Sequence, residues 1–281
     1  MLWCGQLVTY GFVAVFFAAD VQPIQDFPGS CSDRRYPAIF GDWVVGCGSN
    51  GHVDRAISLL DGKLIRLPTS SESVGFGEVP VFGRRGVYDW QDARLNSTVR
   101  IINEMVAPSF NQHDRIASLE SDQVRLRVGA KSWTASANPR GWYPPALLGQ
   151  QVIWVNDDGD GGSDLMSWRP GESVEVYAGG DGEQRHVVSS KTHVAYLDSN
   201  QVVVRNQAAQ ITASYSAIVI DRLSIWEDNV CWSAWSTEDI DIFCSNGFHL
   251  ARKGHQLWPS HSDKALVFQE EGQVMILPLT Q

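Results

Sequence analysis

RIASLESDQVRLRV, at residues 115–128, aligns without a gap with HVAYLDSNQVVVRN, at residues 193–206. The two segments share Ala, Leu, Gln, Val and Arg at equivalent positions, at an offset of 78 in the numbering. The same offset places residues 152–154 (VIW) on residues 230–232 (VCW). Two independent matches at one spacing indicate an internal repeat, and a repeat decides the class of fold before any other feature does.

A third match gives the length of the repeat. Residues 37–41 (PAIFG) resemble residues 145–149 (PALLG) at an offset of 108. If the first offset spans two units and the second spans three, the period of the repeat is about 36 to 39. The chain then holds about seven units, with six as the alternative. Their strand–turn–strand cores are expected to begin near Tyr36, Glu78, Arg115, Pro144, His193, Asp221 and Lys264.

Each unit has the pattern of β-strands joined by tight turns. Short apolar runs such as residues 152–155 and 274–277 alternate with turn dipeptides such as Asp-Gly at 61–62 and Ser-Asn at 199–200. Short strands on a period near 40 predict an all-β fold, a β-propeller of about seven four-stranded blades. A β-solenoid or a sandwich without ring closure is the alternative. The last unit is short, so residues after Asp20 are expected to supply a closing strand.

The amino terminus resembles a targeting segment. Residues 2–19 are apolar and carry no charge, and the run ends in Ala18-Ala19-Asp20, which suits cleavage by a signal peptidase. We therefore predict a signal peptide or N-terminal anchor over residues 1–19 and a single propeller domain over residues 20–281. Because no Lys or Arg precedes Arg34, a buried strand is the alternative for this run. Export would place the protein in the periplasm or outside the cell, with no membrane span once the leader is removed.

Cysteine usage agrees with export. Removal of the leader takes Cys4 with it and leaves four cysteines, an even number that predicts disulfides in an exported protein. Cys231 and Cys244 flank a predicted hairpin and would face each other across it. Cys31 and Cys47 would form the second bridge, and buried free thiols are the alternative. The absence of a Cys-x-x-Cys pair argues against a zinc ribbon or a thioredoxin-type site.

Charge and composition narrow the range of partners. The formal net charge is −10 and 43% of the residues are hydrophobic, which is enough for a substantial core. An acidic surface repels phosphate backbones, so we expect no nucleic-acid ligand. It is compatible with cations, basic proteins or neutral glycans. We expect a monomer.

The loop at residues 156–164 has the residue pattern of a metal site. Oxygen-bearing groups recur at alternate positions, as calcium requires of a flexible loop that supplies six to eight oxygens. A glycine, Gly161, would permit the sharp turn. A solvated Gly/Asp hairpin is the alternative. The predicted structural Ca²⁺ ligands are Asn156, Asp158, Asp160, the carbonyl of Gly162, and Asp164.

The repeat resembles a known family. A proline with an apolar pair, then Gly, a valine-rich strand, a loop and a second strand are similar to the bacterial TolB-type (WD40-like) propeller repeat, best seen at residues 37–62, 144–171 and 221–247. The loop at residues 156–164 resembles the calcium loop of FG-GAP-type propeller repeats. The resemblance implies a propeller and, in many members, an envelope location. It implies no reaction, since propellers include both enzymes and binding modules.

No catalytic motif stands out. The seven histidines form no His-x-x-x-His pattern, and neither a Gly-x-Ser-x-Gly elbow nor a Walker A motif occurs. We therefore predict a non-catalytic envelope or secreted scaffold that binds a protein or glycan at loops on one face or at the channel mouth. A propeller hydrolase or lyase acting on a polysaccharide is the alternative. Trp133, Trp142 and Tyr143 are candidates for a binding platform, with packing between blades as the alternative.

Overall fold

The computed structural model describes most of the chain from residue 21 to residue 279. The described residues are 21–25, 27, 37–40, 42–47, 53–71, 73–74, 81–84, 87–92, 97–102, 106–112, 115–120, 122–128, 131–140 and 143–279. The predicted leader, Cys31 and Trp142 lie outside them. Over these residues the secondary structure is strands and turns without a helix, as the repeat pattern predicts. No helix in this part of the chain is long and apolar enough to cross a membrane.

The described strands form seven antiparallel sheets of four strands each. The first three sheets are β2 Ala38–Phe40, β3 Trp43–Cys47, β4 Val53–Ser58 and β5 Leu64–Ser71; β6 Ser73–Val74, β7 Val81–Arg84, β8 Val87–Asp92 and β9 Ser97–Ile102; and β10 Val106–Gln112, β11 Arg115–Glu120, β12 Gln123–Val128 and β13 Lys131–Ser136.

The remaining four sheets continue along the chain in the same way. They are β14 Ala146–Leu148, β15 Gln151–Asp157, β16 Ser163–Trp168 and β17 Glu175–Ala178; β18 Gln184–Ser189, β19 His193–Asp198, β20 Gln201–Asn206 and β21 Ile211–Ser216; β22 Val219–Trp226, β23 Asn229–Trp235, β24 Ile240–Cys244 and β25 His249–Leu250; and β26 Gln256–His261, β27 Ala265–Glu270 and β28 Gln273–Pro278, to which β1 Gln22–Pro23 adds the fourth strand.

From the third sheet to the seventh, consecutive sheets bury their faces against each other. Leu126 of the third sheet and Trp154 of the fourth lie in one buried apolar cluster. Similar clusters join the fourth sheet to the fifth, the fifth to the sixth, and the sixth to the seventh. The fifth cluster joins the two ends of the series, because Val267 of the seventh sheet packs with Val44 of the first. A single narrow sheet exposes two apolar faces, and this arrangement covers both of them.

The start of the chain completes the last sheet. Gln22 pairs with Ile276 and Pro23 with Met275 in the antiparallel pairing of β1 with β28. Downstream, the Phe27 side chain is buried against Gly46, where an added Cβ would lie 2.7 Å from the Phe27 ring. The expected closing strand after Asp20 is therefore confirmed.

The predicted repeat is confirmed in the positions of its strands. The matched segments at residues 115–128 and 193–206 are the second and third strands of the third and fifth sheets. Ile116 pairs with Arg127, and Val194 with Arg205, at equivalent positions.

The predicted strand–turn–strand cores do not all begin at the same strand of a sheet. Those near Tyr36, Pro144 and Asp221 lie at the first strand of a sheet, but those near Glu78, Arg115, His193 and Lys264 lie at the second. The first and second hairpins of a sheet carry similar apolar runs, so sequence alone does not separate them.

One predicted disulfide is present between facing residues. Cys231 and Cys244 are direct cross-strand partners on β23 and β24, and their sulfur atoms are bonded. The turn between them is closed by a hydrogen bond from the Ser236 amide to the Asp239 carbonyl, 2.9 Å long. Cys47 is disulfide-bonded too, while its predicted partner Cys31 lies outside the described residues.

Serine hydroxyls join the first strands of neighbouring sheets. The Ile39 amide donates to Ser260 Oγ at 3.0 Å, which links the first and seventh sheets. The His261 amide donates to Ser224 Oγ at 3.1 Å, which links the seventh and sixth. Ser189 bonds to the amide and the carbonyl of Leu147 in the same manner, between the fifth and fourth sheets. Each bond satisfies a backbone group that the narrow sheet leaves unpaired at its inner edge.

His261 belongs to one of these links as a buried neutral side chain. Its Nδ1 lies 2.9 Å from Ser224 Oγ, and its side chain is almost completely buried. Burial lowers the pKa of His261 to about 4, with a smaller opposing effect from the backbone of Asn229. A protonated imidazole at this position would lose its solvation without gaining a carboxylate partner.

We predict that acid destabilises the fold through His261. Between pH 6.5 and about pH 4 the unfolded chain binds a proton that the folded chain does not. The free energy of unfolding therefore falls by up to about 1.4 kcal/mol for each pH unit by which the pH is lowered. A His261→Gln variant should show a smaller loss over this window in urea unfolding followed by circular dichroism. Equal pH slopes for the variant and the wild type would contradict the assignment.

Candidate functional site

The strand directions place one set of turns and connections at the same end of the sheets, which we call the top face. It comprises the turns between second and third strands, at residues 157–163, 199–200 and 236–239, and the connections between sheets, at residues 179–183 and 217–218. Backbone hydrogen bonds tie the turns to the connections, as from the Ala217 amide to the Asn200 carbonyl at 2.9 Å. The top face is therefore a fixed surface built from several sheets.

The loop that predicted calcium lies on the top face, between β15 and β16. Asn156 and Asp164 are cross-strand partners at its base. Asp158 Oδ1 accepts the amides of Asp160 at 2.9 Å and Gly162 at 3.0 Å. Gly161, with a φ of 88°, makes the sharp turn that the sequence predicts.

Glycine is required at position 162 of this loop. An added Cβ at Gly162 would lie 2.2 Å from Asp158 Oδ2. The carboxylate of Asp158 therefore occupies the space in which a larger residue would stand.

An arginine closes this loop. Arg140 Nη1 donates to the carbonyls of Gly161, at 2.7 Å, and Gly162, and Arg140 Nη2 lies 3.6 Å from Glu183. Asn156 Oδ1 already accepts the Asn138 amide and the Trp154 indole N–H. Three of the predicted calcium ligands, Asn156, Asp158 and the carbonyl of Gly162, thus accept hydrogen bonds from protein donors.

Metal binding is accordingly still a prediction. Among the described residues, no three His, Cys, Asp or Glu side chains are arranged to hold a metal ion. Sequence reasoning could not find Arg140, because it stands well before the loop, in an irregular connection between two sheets.

The aromatic candidates named from sequence have packing roles. Trp133 packs against the cluster between the third and fourth sheets. Tyr143 packs against the next cluster and contacts His186 edge-on, with ring centroids 4.7 Å apart. The alternative of packing between blades therefore describes both residues.

A cavity of about 450 Å³ opens on the top face between the fifth and sixth sheets. Its lining includes Trp232 and Phe243 on one face of the sixth sheet and Trp235 at the end of β23, and its polar residues are Asn200, Gln201 and Ser216. A second cavity, of about 260 Å³, lies between the fourth and fifth sheets at the opposite end, beside Arg169 and Glu172.

Two large apolar side chains remain exposed at the top-face cavity. Trp235 is 51% exposed and Ile218 is 65% exposed, and both line the cavity. Behind them, Trp232 is buried, and its indole N–H has no hydrogen-bond partner in the described part of the chain. An exposed Trp beside an unsatisfied donor is typical of a binding surface.

A buried carboxylate stands behind this cavity. His249 Nε2 lies 3.0 Å from Asp241 Oδ2, within the distance of a hydrogen bond or an ion pair. The His249 ring stacks on Phe243 at 4.3 Å. Asp241 lies within β24 and is 4% exposed. The pair holds Phe243 in place at the cavity wall.

Sequence reasoning missed the cavity, although it contained one signal. In β23 the side chains of Trp232 and Ala234 lie on one face, so Trp235 should point to the other face of the sheet. Trp235 stands at the end of the strand, next to the polar turn at residues 236–239. A hairpin whose apolar side chains are all packed would have a polar residue at this position.

No protein-family model and no curated protein matches the sequence. Solved structures match its fold, and they include a named β-propeller domain. The class of fold is therefore an all-β arrangement similar to known propellers.

Three solved structures illustrate this similarity. BamB from Moraxella catarrhalis matches with a TM-score of 0.56 and 12% identity, over 92% of this chain and 100% of BamB. The β-propeller domain of the Trilobed protease from Pyrococcus furiosus matches with a TM-score of 0.60 and 9% identity, over 90% of this chain and 96% of that one. Pyrococcus horikoshii acylaminoacyl peptidase matches with a TM-score of 0.64 and 10% identity, over 90% of this chain.

These similarities have a limited meaning. This chain spans about half of the peptidase, since the match covers 52% of that protein. At 9% to 12% identity they concern the fold alone.

We predict that Arg140 stabilises the loop at residues 156–164. Arg140→Ala should lower the free energy of unfolding by about 1 kcal/mol, because two carbonyls lose a charged donor at a partly exposed site. Arg169→Ala is the control, since Arg169 is exposed and bonds only weakly to Gln151, at 3.4 Å.

The same melting experiment tests the calcium prediction. If the loop binds structural Ca²⁺, EDTA should lower the melting temperature of the wild type and added CaCl₂ should restore it. A melting temperature that EDTA leaves unchanged would contradict the calcium prediction.

Proposed function

We propose that this chain is a non-catalytic binding scaffold, a seven-bladed β-propeller whose ligand docks on the top face. The observation that carries the proposal is the aromatic cavity with Trp235 and Ile218 exposed beside it. Exposed large apolar groups on a rigid surface are common at binding sites, and a folded protein gains nothing from leaving a Trp half in water.

Contacts between the two ends of the series of sheets support this proposal. The packing of the first sheet on the seventh, and the pairing of β1 with β28, are the contacts that a closed propeller requires. Closure makes the sheets a rigid frame on which loops at one end can differ without loss of stability. A TolB-type kinship remains part of the proposal, supported by the repeat at residues 37–62, 144–171 and 221–247.

Location outside the cytoplasm is part of the proposal. The disulfide between Cys231 and Cys244 and the disulfide-bonded Cys47 support an oxidising compartment, because reduced glutathione opposes such bonds in the cytosol. The uncharged apolar run at residues 2–19 supports export. The periplasm and the extracellular space fit these features equally.

The charge of the top face limits the chemical class of ligand that can bind there. Its turns and connections carry many carboxylates and few basic groups. The carboxylates are Asp157, Asp158, Asp160, Asp181, Glu183, Glu238, Asp239 and Glu271. Such a surface disfavours nucleic acids and other polyanions. A protein or a glycan without negative charge is the partner that it allows.

The proposal predicts that Trp235 is required for binding to the cell-surface fraction of the native host. Trp235→Ala should reduce the amount of purified protein that sediments with this fraction at least about tenfold, because a half-exposed Trp at a binding centre contributes about 2 kcal/mol. Leu60→Ala is the matched control, since Leu60 is 72% exposed but lies in a turn at the opposite end.

Two results would contradict the proposal. One is equal sedimentation of the wild type and the Trp235 variant. The other is loss of sedimentation in the Leu60 variant alone, which would place the binding surface at the other end of the sheets.

A further inference from the structure

The Trp235 side chain lies where the sixth sheet meets the seventh on the top face. Trp232 and Ala234 pack toward the fifth sheet, so alternation along β23 directs the Trp235 side chain to the opposite face. Its contact with the ring of His255, the residue before β26, agrees with this direction, since the two ring centroids lie 5.6 Å apart. The indole is nevertheless 51% exposed. A large apolar side chain is thus presented to solvent at this junction.

The indole is supported before any partner arrives. The His255 ring meets it edge-on, and His255 Nδ1 accepts the amide of Ile240, the cross-strand partner of Trp235. Because Ile240 is buried, this hydrogen bond ties the His255 ring to the packed part of the sixth sheet. A side chain that is already ordered loses little conformational entropy when a partner binds to it.

Two carboxylates reach the residue next to His255. Asp239, in the turn of the sixth sheet, accepts the amide of Gly254 at 3.4 Å through Oδ2. Glu271, in the turn of the seventh sheet, has its Oε1 3.2 Å from the position that a Cβ of Gly254 would occupy. Because Gly254 directly precedes His255, carboxylates from two different sheets stand close to the support of the exposed indole.

The balance of charge at this junction is negative. The Arg252 guanidinium is already paired, since its Nε lies 2.9 Å from Oε1 of the buried Glu270. Lys253 is then the basic side chain left in the connection between the two sheets. The surface is therefore complementary to a positively charged group. The carboxylates of the two adjoining turns are Glu238, Asp239 and Glu271.

We propose that the junction of the sixth and seventh sheets binds a basic segment of a partner protein, with an arginine side chain of that segment stacked on Trp235. A planar guanidinium is attracted to the face of an indole and donates hydrogen bonds to carboxylates at the same time. Asp239 and Glu271 would accept these hydrogen bonds. The inference rests on the proposed function, since it names the class of partner that the top face binds.

Binding of defined peptides tests the inference. The probe is the fluorescein-labelled peptide Gly-Arg-Gly-Arg-Gly-Arg-Gly, followed by fluorescence anisotropy at physiological salt. Its matched control carries citrulline at each arginine, which keeps the shape of the side chain without its charge. The arginine peptide should bind with a Kd below about 1 mM, and the citrulline peptide at least about tenfold more weakly.

Variants of the junction should weaken the binding of the arginine peptide. Trp235→Ala should weaken it at least about threefold, because the guanidinium loses its aromatic contact. Asp239→Asn/Glu271→Gln should weaken it at least about fivefold, because two charged acceptors become neutral while the side chains keep their size. All variants should keep the wild-type melting temperature within a few degrees, because Trp235 and Glu271 are exposed.

A second double variant separates a specific site from the attraction of net charge. Asp157→Asn/Asp181→Asn removes the same charge from the top face, but from the fourth sheet and the connection that follows it. Its affinity for the arginine peptide should stay within about twofold of the wild type. Equal weakening by both double variants would overturn the inference. So would equal binding of the two peptides, no binding up to about 10 mM, or binding unchanged in Trp235→Ala.

Sedimentation with the host fraction separates this inference from the proposed function. If Trp235→Ala fails to sediment but Asp239→Asn/Glu271→Gln sediments like the wild type, the scaffold stands and the basic partner is wrong. Loss of Trp235-dependent sedimentation after periodate oxidation of the fraction, but not after its digestion by trypsin, would identify a glycan and also overturn the inference. Sedimentation that does not depend on Trp235 would contradict the proposed function itself.

Discussion

Burial of both faces of each narrow sheet is the constraint on which the structure depends. A four-stranded sheet with apolar residues on both faces needs a neighbour on each side, and a row of such sheets always has two uncovered ends. Here the ends meet, because Val267 of the seventh sheet packs with Val44 of the first. At about 25 cal/mol per Å² of buried apolar surface, covering the two end faces stabilises the chain more than any single hydrogen bond.

Hydrogen bonds between neighbouring sheets fix how the packed sheets are aligned. Ser260, Ser224 and Ser189 each reach from the first strand of one sheet to backbone atoms of a neighbouring sheet. Apolar packing alone tolerates small slips between sheets, whereas a buried amide without its partner costs about 1–3 kcal/mol. These links fix the register of sheet against sheet.

The fold could be predicted from sequence because it is repetitive. Local strand signals are weak, but Ile116 and Val194 stand in matched segments, so one segment supports the other. The site could not be predicted in this way, because it departs from the repeat. Arg140 closes a loop from outside the motif, and Trp235 and Gln201, which lie on different sheets, line one cavity only after folding. Spacing along the chain reports neither contact. The loop at residues 156–164 shows the converse, since its spacing did not reveal which protein groups its oxygens already bind.

The proposed closed propeller depends on the pairing of the start of the chain with its last strand. A pair of cysteines tests it directly, because Gln22 and Ile276 face each other across β1 and β28 as Cys231 and Cys244 do within the sixth sheet. In a Gln22→Cys/Ile276→Cys variant, peptide mapping of the oxidised monomer should find a disulfide between positions 22 and 276, and a Gln22→Cys/Ile218→Cys variant should form none. Absence of the first bridge, or equal formation of both, would contradict the closed ring.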